Sequence, residues 1–253
     1  MFFVCIILAV AALVTSMLSA ILGMGGGILL LAVIFCFLDH SEAIPAHAAV
    51  QLASNGTRIL VFIKNIDWRT LARYCSGLVP GIVLGSVLLW KLGEPGESEP
   101  YLKMIVGCYI LAATYLPKPQ KHRSGMTWWD FPLMGFVCGA SALTIGAIGP
   151  LMAPLFARRD FVKERLIATK ATCQLITHFG KIPAFLLIRE LNVASLGALT
   201  LVMVAMVIPG TLLGKRALKH VSVEHFKIAY KAALTLAGLK VLLVDGLWKM
   251  MGT

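Results

Sequence analysis

Four glycines in five positions, Gly23-Met24-Gly25-Gly26-Gly27, stand between two uncharged apolar runs, Phe2–Leu22 and Ile28–Leu38. Runs of this kind read as membrane-embedded helix. Glycine is about 1 kcal/mol less favourable than alanine in a helix interior, so the pentapeptide should break the helix. Inside a bilayer a break is tolerated only where its freed backbone groups are buried in protein or line a cavity. The motif therefore marks either a binding site or close helix packing through small residues.

The rest of the chain bears out the membrane setting. Of 253 residues, 58% are hydrophobic and only 14% charged, with a mean hydropathy of +0.85. That composition excludes a soluble globular domain and predicts an all-α polytopic membrane protein. No polar stretch is longer than a short loop, so no separate soluble domain is expected, and the first apolar run, lacking a basic flank, reads as retained. The six cysteines lie in apolar segments without CxxC spacing and read as small hydrophobes rather than disulfides or metal ligands.

Ten helical segments follow from the apolar runs: Phe2–Leu22, Ile28–Leu38, Ile44–Ile63, Leu71–Lys91 and Tyr101–Leu116, then Phe131–Leu143, Leu151–Phe156, Leu166–Ile188, Val193–Leu213 and Phe226–Leu247. They form two repeats, residues 1–116 and 131–253, joined by a basic linker at 117–130. A shift of 123 positions lays Gly26-Gly27 on Gly149-Pro150, His47 on Lys170, Gln51 on Gln174, Asn55 on His178 and Arg58 on Lys181. After six inserted residues, Pro80-Gly81 and Gly85 fall on Pro209-Gly210 and Gly214. Internal repeats of this kind are a common build for transporters, with the site at the repeat interface.

Loop charge orients the halves. If each glycine-broken pair folds back as a hairpin or re-entrant tip, the halves are inverted. One side then collects 14 Lys and Arg, at 64–73, 118–123, 158–165 and 215–227, and the other collects 4. That split follows the positive-inside rule, whereas two parallel halves would put their basic loops on opposite sides. The expectation is an inverted repeat in a cell membrane, with basic loops cytoplasmic and both termini outside. The net charge of +11 is thereby assigned to loops rather than to nucleic acid.

His47, Gln51, Asn55 and Arg58 recur at helical spacing, and Lys170, Gln174, His178 and Lys181 make the same stripe, with Thr172 and Thr177 nearby. Such a stripe should face the bundle interior, although His47 and Lys170, or Arg58 and Lys181, could instead reach an interface. All acidic residues fall in loops or at segment ends. The interior thus offers amides, hydroxyls, basic groups and two helix N-termini, at Gly25-Gly26-Gly27 and at Gly149-Pro150. Those are the groups that hold an anion. Pro150 suits a first helical position.

No zinc-protease, P-loop or nucleophile-elbow motif occurs, no cofactor is implied, and the glycine run follows a helix rather than the strand a dinucleotide fold needs. An enzyme is disfavoured. Without an ATP site, active transport would use a coupling ion, H+ or Na+, or an exchanged ion. A membrane scaffold with a transporter-like fold is the alternative of another class, and an oligomer is compatible with either.

The motifs Leu22-Gly23-Met24-Gly25-Gly26-Gly27-Ile28 and Gly146-Ala147-Ile148-Gly149-Pro150-Leu151, with Asp67-Trp68 after the next helix, resemble the TauE/SafE sulfite exporter family over Phe2 to Leu247. The resemblance implies a permease exporting sulfite, sulfoacetate or a related anion, with a non-sulfur anion as the alternative. Ile148 stands where the first copy has Gly25, which predicts a stiffer, less open second break.

Overall fold

The computed structural model describes residues 2–22, 25–92, 95–116, 127–158, 163–188, 193–217 and 223–251. Gly23, Met24 and most of the 117–130 linker lie outside them. Every regular element among the described residues is helical: α1 (Phe2–Leu22), α2 (Gly26–Phe35), α3 (His40–Phe62), α4 (Trp68–Lys91) and α5 (Pro95–Tyr115), then α6 (Asp130–Ala142), α7 (Gly149–Arg158), α8 (Lys163–Ile188), α9 (Val193–Ala217) and α10 (Val223–Leu239). A π-helical stretch, Lys240–Trp248, prolongs α10, and Lys249–Met251 is the last described element.

The 123-residue register holds at the element level. The short helices start at Gly26 and Gly149 and the long ones after them at His40 and Lys163, each pair 123 apart. At 10 residues each, α2 and α7 span about 15 Å, half a hydrocarbon core. By length and composition α4, α8 and the Gly197–Gly214 stretch of α9 can cross a membrane. Trp68 and Trp90, both exposed, sit about 33 Å apart along α4, the spacing of two membrane interfaces. Between them Val79, Val83, Val87 and Leu88 are also exposed, an apolar stripe that suits lipid.

Pairing between helices exchanges partners across the repeat. α4 lies on α6 and α1 lies on α9. Both contacts run through glycine: a Cβ at Gly81 would fall 2.3 Å from the Phe136 carbonyl oxygen, and one at Gly210 the same distance from that of Leu13. Phe136 and Leu13 are 123 apart, so the two contacts are repeat equivalents. One apolar cluster runs from α1, α2 and α3 to α9 and also takes in α5, α10, Leu89 of α4 and Phe185 of α8, and the other joins α6, α7 and α8 to α4.

Where the halves meet, α3 and α8 run antiparallel. His40, His47 and Gly56 meet Phe185, His178 and Leu175 in turn. Met104, Gly107 and Leu111 of α5 meet Gly246, Leu242 and Gly238 in the same opposed order.

Two sequence expectations are corrected. Asp245 does not end a segment, because the helix continues to Met251, and it is buried. The π-helical turn brings residues five apart together, so Lys240 Nζ reaches its carboxylate at 2.7 Å. The cysteines are all free, but only Cys138 and Cys173 are buried and Cys108 is exposed.

Candidate functional site

The first break is built by close approach. Gly25 has φ 98°, the left-handed region that favours glycine, and is the N-cap of α2. A Cβ on Gly26 would lie 2.2 Å from the Thr15 carbonyl oxygen, and one on Gly27 would press on the Gln51 amide at 3.0 Å. Together these admit α2 against α1 and α3. The approach leaves a small recess beside the first turn of α2, lined by Thr15, Ser16, Ser19, Ser54 and Gln51, with the Thr15 hydroxyl donating to the Ala12 carbonyl at 3.3 Å. It has room for little more than a water, yet all five polar side chains are buried. Arg58 closes it: its Nη2 donates to Ser19 Oγ and to Ser54 Oγ (3.4 Å), and its Nη1 to Asn55 Oδ1 (3.5 Å). The start of a helix, serine hydroxyls, an amide and a neighbouring guanidinium thus lie around one small recess, group types that can hold an oxyanion.

At the second break the left-handed residue is Gly146, φ 81°, three positions before α7 rather than one. Ile148, which the register sets opposite Gly25, is buried. Lys181 is wholly buried and does not reach an interface; its Nζ donates to the Gly146 carbonyl at 2.9 Å. Tyr109 Oη donates to the Ala147 carbonyl at 2.7 Å, and a His40 ring nitrogen lies 2.8 Å from the Thr144 carbonyl. Gln174 sits beside Gly149, its Nε2 2.9 Å from where a Cβ would be. Pro150 lies in the first turn of α7.

The candidate residues therefore separate into groups. Gly25, Gly26, Gly27, Gln51 and Arg58 gather at the recess, and Asn55 is held against Arg58. Gly149, Pro150, Gln174 and Lys181 belong to the second break. His47 and His178 meet at the α3–α8 crossing, ring centroids 5.6 Å apart, and His47 Nε2 donates to the Gly27 carbonyl at 2.9 Å. Lys170 is buried on α8. Thr172 and Thr177 bond to carbonyls four residues back, and Thr177 also meets Tyr74 Oη at 2.7 Å, so neither hydroxyl lines the recess.

Sequence reading overlooked Thr15, Ser16, Ser19 and Ser54. A signal was present: in the otherwise apolar α1, hydroxyls at 15, 16 and 19 share one helical face.

A bundle all-helical among the described residues, with a lipid-suited surface, two half-length helices and buried cationic side chains, defines a multi-pass membrane protein. The chain belongs to the TauE/SafE sulfite exporter family, whose model matches residues 8–241. Among curated proteins it is 27% identical over 175 residues to a protein of Cupriavidus necator named "Probable sulfite/organosulfonate exporter TauE". The match covers 66% of this chain and 65% of that protein's length. No solved structure matches the chain.

Proposed function

We propose that the protein is a secondary transporter that exports a small oxyanion of the sulfite or organosulfonate class, binding it at the first break and releasing it by alternating access between two inverted halves. The observation that carries this reading is the recess: Thr15, Ser16, Ser19, Ser54, Gln51 and Arg58 converge on the N-terminus of a half-length helix. A sulfo group presents oxygen acceptors all round, and this donor set meets them without a carboxylate in the recess. Family membership and the printed name of the Cupriavidus necator relative supply the substrate class.

Inversion is supported by the antiparallel α3–α8 crossing between equivalent helices. It is also supported at one end of the bundle, where Arg165 of the second half lies 3.2 Å from Asp67 of the first. Basic segments of both halves thus share a side, which the positive-inside rule makes cytoplasmic. The termini are then external. Alternating access would move the α1–α9 and α4–α6 pairs relative to each other about the α3–α8 crossing.

Purified protein in proteoliposomes loaded with radiolabelled sulfite or sulfoacetate should release label severalfold faster than empty vesicles. Excess unlabelled sulfonate should compete. Equal leak from both preparations with every oxyanion and small carboxylate tried would overturn the proposal.

A further inference from the structure

The α3–α8 crossing holds a pair of imidazoles that the anion recess does not use. His47 and His178 are 1% and 2% exposed, and their rings meet edge to face at 5.6 Å. The Gly27 carbonyl can only accept, so His47 Nε2 carries the hydrogen of the bond between them. In the neutral ring this leaves Nδ1 a bare lone pair, and it has no partner. His178 Nδ1 is likewise buried without one. Buried polar atoms are normally satisfied, so two unpartnered ring nitrogens in facing imidazoles need an explanation.

Resting on the transport reading above, we propose that His47 and His178 form the proton site of the transporter, taking up one proton between them when the anion is loaded and releasing it with the anion. A bare ring nitrogen is a proton acceptor. A metal ion fits poorly: no group of three His, Cys, Asp or Glu occurs among the described residues, and the Lys181 ammonium stands one helical turn from His178. Sodium would want an oxygen cage, and the facing atoms are nitrogens.

The surroundings of the pair give the proton its effect. Lys181 of α8 is the charged group beside both rings. From α2 comes a backbone carbonyl, and from α4 comes Tyr74, whose hydroxyl is engaged by Thr177. Glu99 and Lys103 of α5 pair instead with the start of α3, Glu99 accepting from the His40 N–H and Lys103 Nζ lying 3.0 Å from Asp39. Arg58 lies three turns further along α3, and Lys170 two turns back along α8. α1 and the described part of α9 near the crossing are uncharged.

A proton on either ring therefore puts a second positive charge beside Lys181 with no acid among the described groups around the pair to balance it. An oxyanion at the first break balances it, so proton and anion favour each other's binding. The contacts also tie the pair to both breaks: His47 holds Gly27, and Lys181, three residues after His178, holds Gly146. Proton loading thereby bears on both backbones at once.

The test counts protons against anions. Sulfoacetate is suitable because both of its acidic groups stay ionised near neutral pH, so any proton that moves is not its own. Proteoliposomes carrying internal sulfoacetate and a trapped pH dye, with the membrane potential clamped, should show internal alkalinisation of about one proton per anion released. His47→Gln keeps an N–H for the Gly27 carbonyl, and His178→Asn installs the residue of its repeat mate Asn55. Each should cut the proton-to-anion ratio at least tenfold. Sulfoacetate efflux from the unmodified protein with no pH change, or with internal acidification, overturns the proposal. So does a wild-type ratio in folded His178→Asn. Absence of any anion flux from the unmodified protein overturns the transport reading and this inference with it.

Discussion

At the first break the N-terminus of α2 looks into a recess lined by Thr15, Ser16, Ser19 and Ser54 and closed by Arg58. At the second, the positions 123 further on from Thr15, Ser16 and Ser19 are Cys138, Gly139 and Ala142, and the mate of Arg58 is Lys181. Gly139 is used for packing instead: a Cβ there would meet the Leu78 carbonyl oxygen at 2.6 Å. The Lys181 ammonium is aimed at the protein's own Gly146 carbonyl. The two breaks thus differ in chemistry: at one a guanidinium bonds to serine hydroxyls beside a small recess, and at the other an amino group bonds to a backbone carbonyl. A repeat in sequence does not imply two equal binding sites, and the comparison predicts one anion per cycle.

The largest effect that could break the comparison concerns the two cations. Arg58→Ala should weaken anion binding by about 10- to 100-fold, the range for a charge-assisted hydrogen bond lost from a buried site. Lys181→Met should lower the thermal midpoint in detergent and cost less oxyanion affinity than Arg58→Ala, since the direct contact it frees is a backbone carbonyl. Equal losses of affinity, measured by calorimetry with sulfoacetate, would mean that both breaks hold anions.

Glycine packing offers a second contrast. Gly26→Ala drives a methyl into the Thr15 backbone oxygen at 2.2 Å, where nothing can rotate away. It should destabilise by about 1–3 kcal/mol, typical of overpacking, and lower the yield of folded protein. At Gly149 the facing atom is the end of the Gln174 side chain, which can swing aside. Gly149→Ala should therefore leave the midpoint in a detergent melt within a few degrees of the unmodified protein. A larger drop at Gly149 than at Gly26 would reverse the assignment of the tighter approach.

The smallest expected difference separates the two glutamines. Gln51 lines the recess and Gln174 only leans on Gly149, so Gln51→Ala should raise the half-saturating anion concentration by about fivefold to tenfold, the worth of one neutral hydrogen bond. Gln174→Ala should change it less than twofold. Transport assays in which the two variants behave alike would return both glutamines to equal standing.

Much of this protein was legible in its residues. Long uncharged runs must be membrane helices because lipid leaves unpaired backbone groups no partner, and the Gly23–Gly27 cluster must interrupt one because glycine is a poor helix former. The 123-residue register, read from matches such as Gln51 with Gln174, placed both breaks, while the apolar runs set the starts of α2, α7, α3 and α8 two to four residues late, at Ile28, Leu151, Ile44 and Leu166. These are local properties: hydropathy, helix propensity and spacing act within a few turns of the chain.

What only the tertiary structure decided depends on surfaces brought together from distant segments. That α4 crosses to α6 and α1 to α9 follows from backbone fitting into glycine notches at Gly81 and Gly210, and helical periodicity does not say which helix will fill a notch. Lys181 could equally have extended to an interface by its spacing alone. Its burial was decided by the Gly146 carbonyl, 35 residues away in the chain, which needed a donor where no water reaches. Likewise Thr15, Ser16 and Ser19 are ordinary small residues of an apolar helix until Gly26 lets α2 approach and Arg58 arrives from α3. The recess exists because three helices meet there, and the asymmetry between the two breaks comes from which side chains each meeting brings.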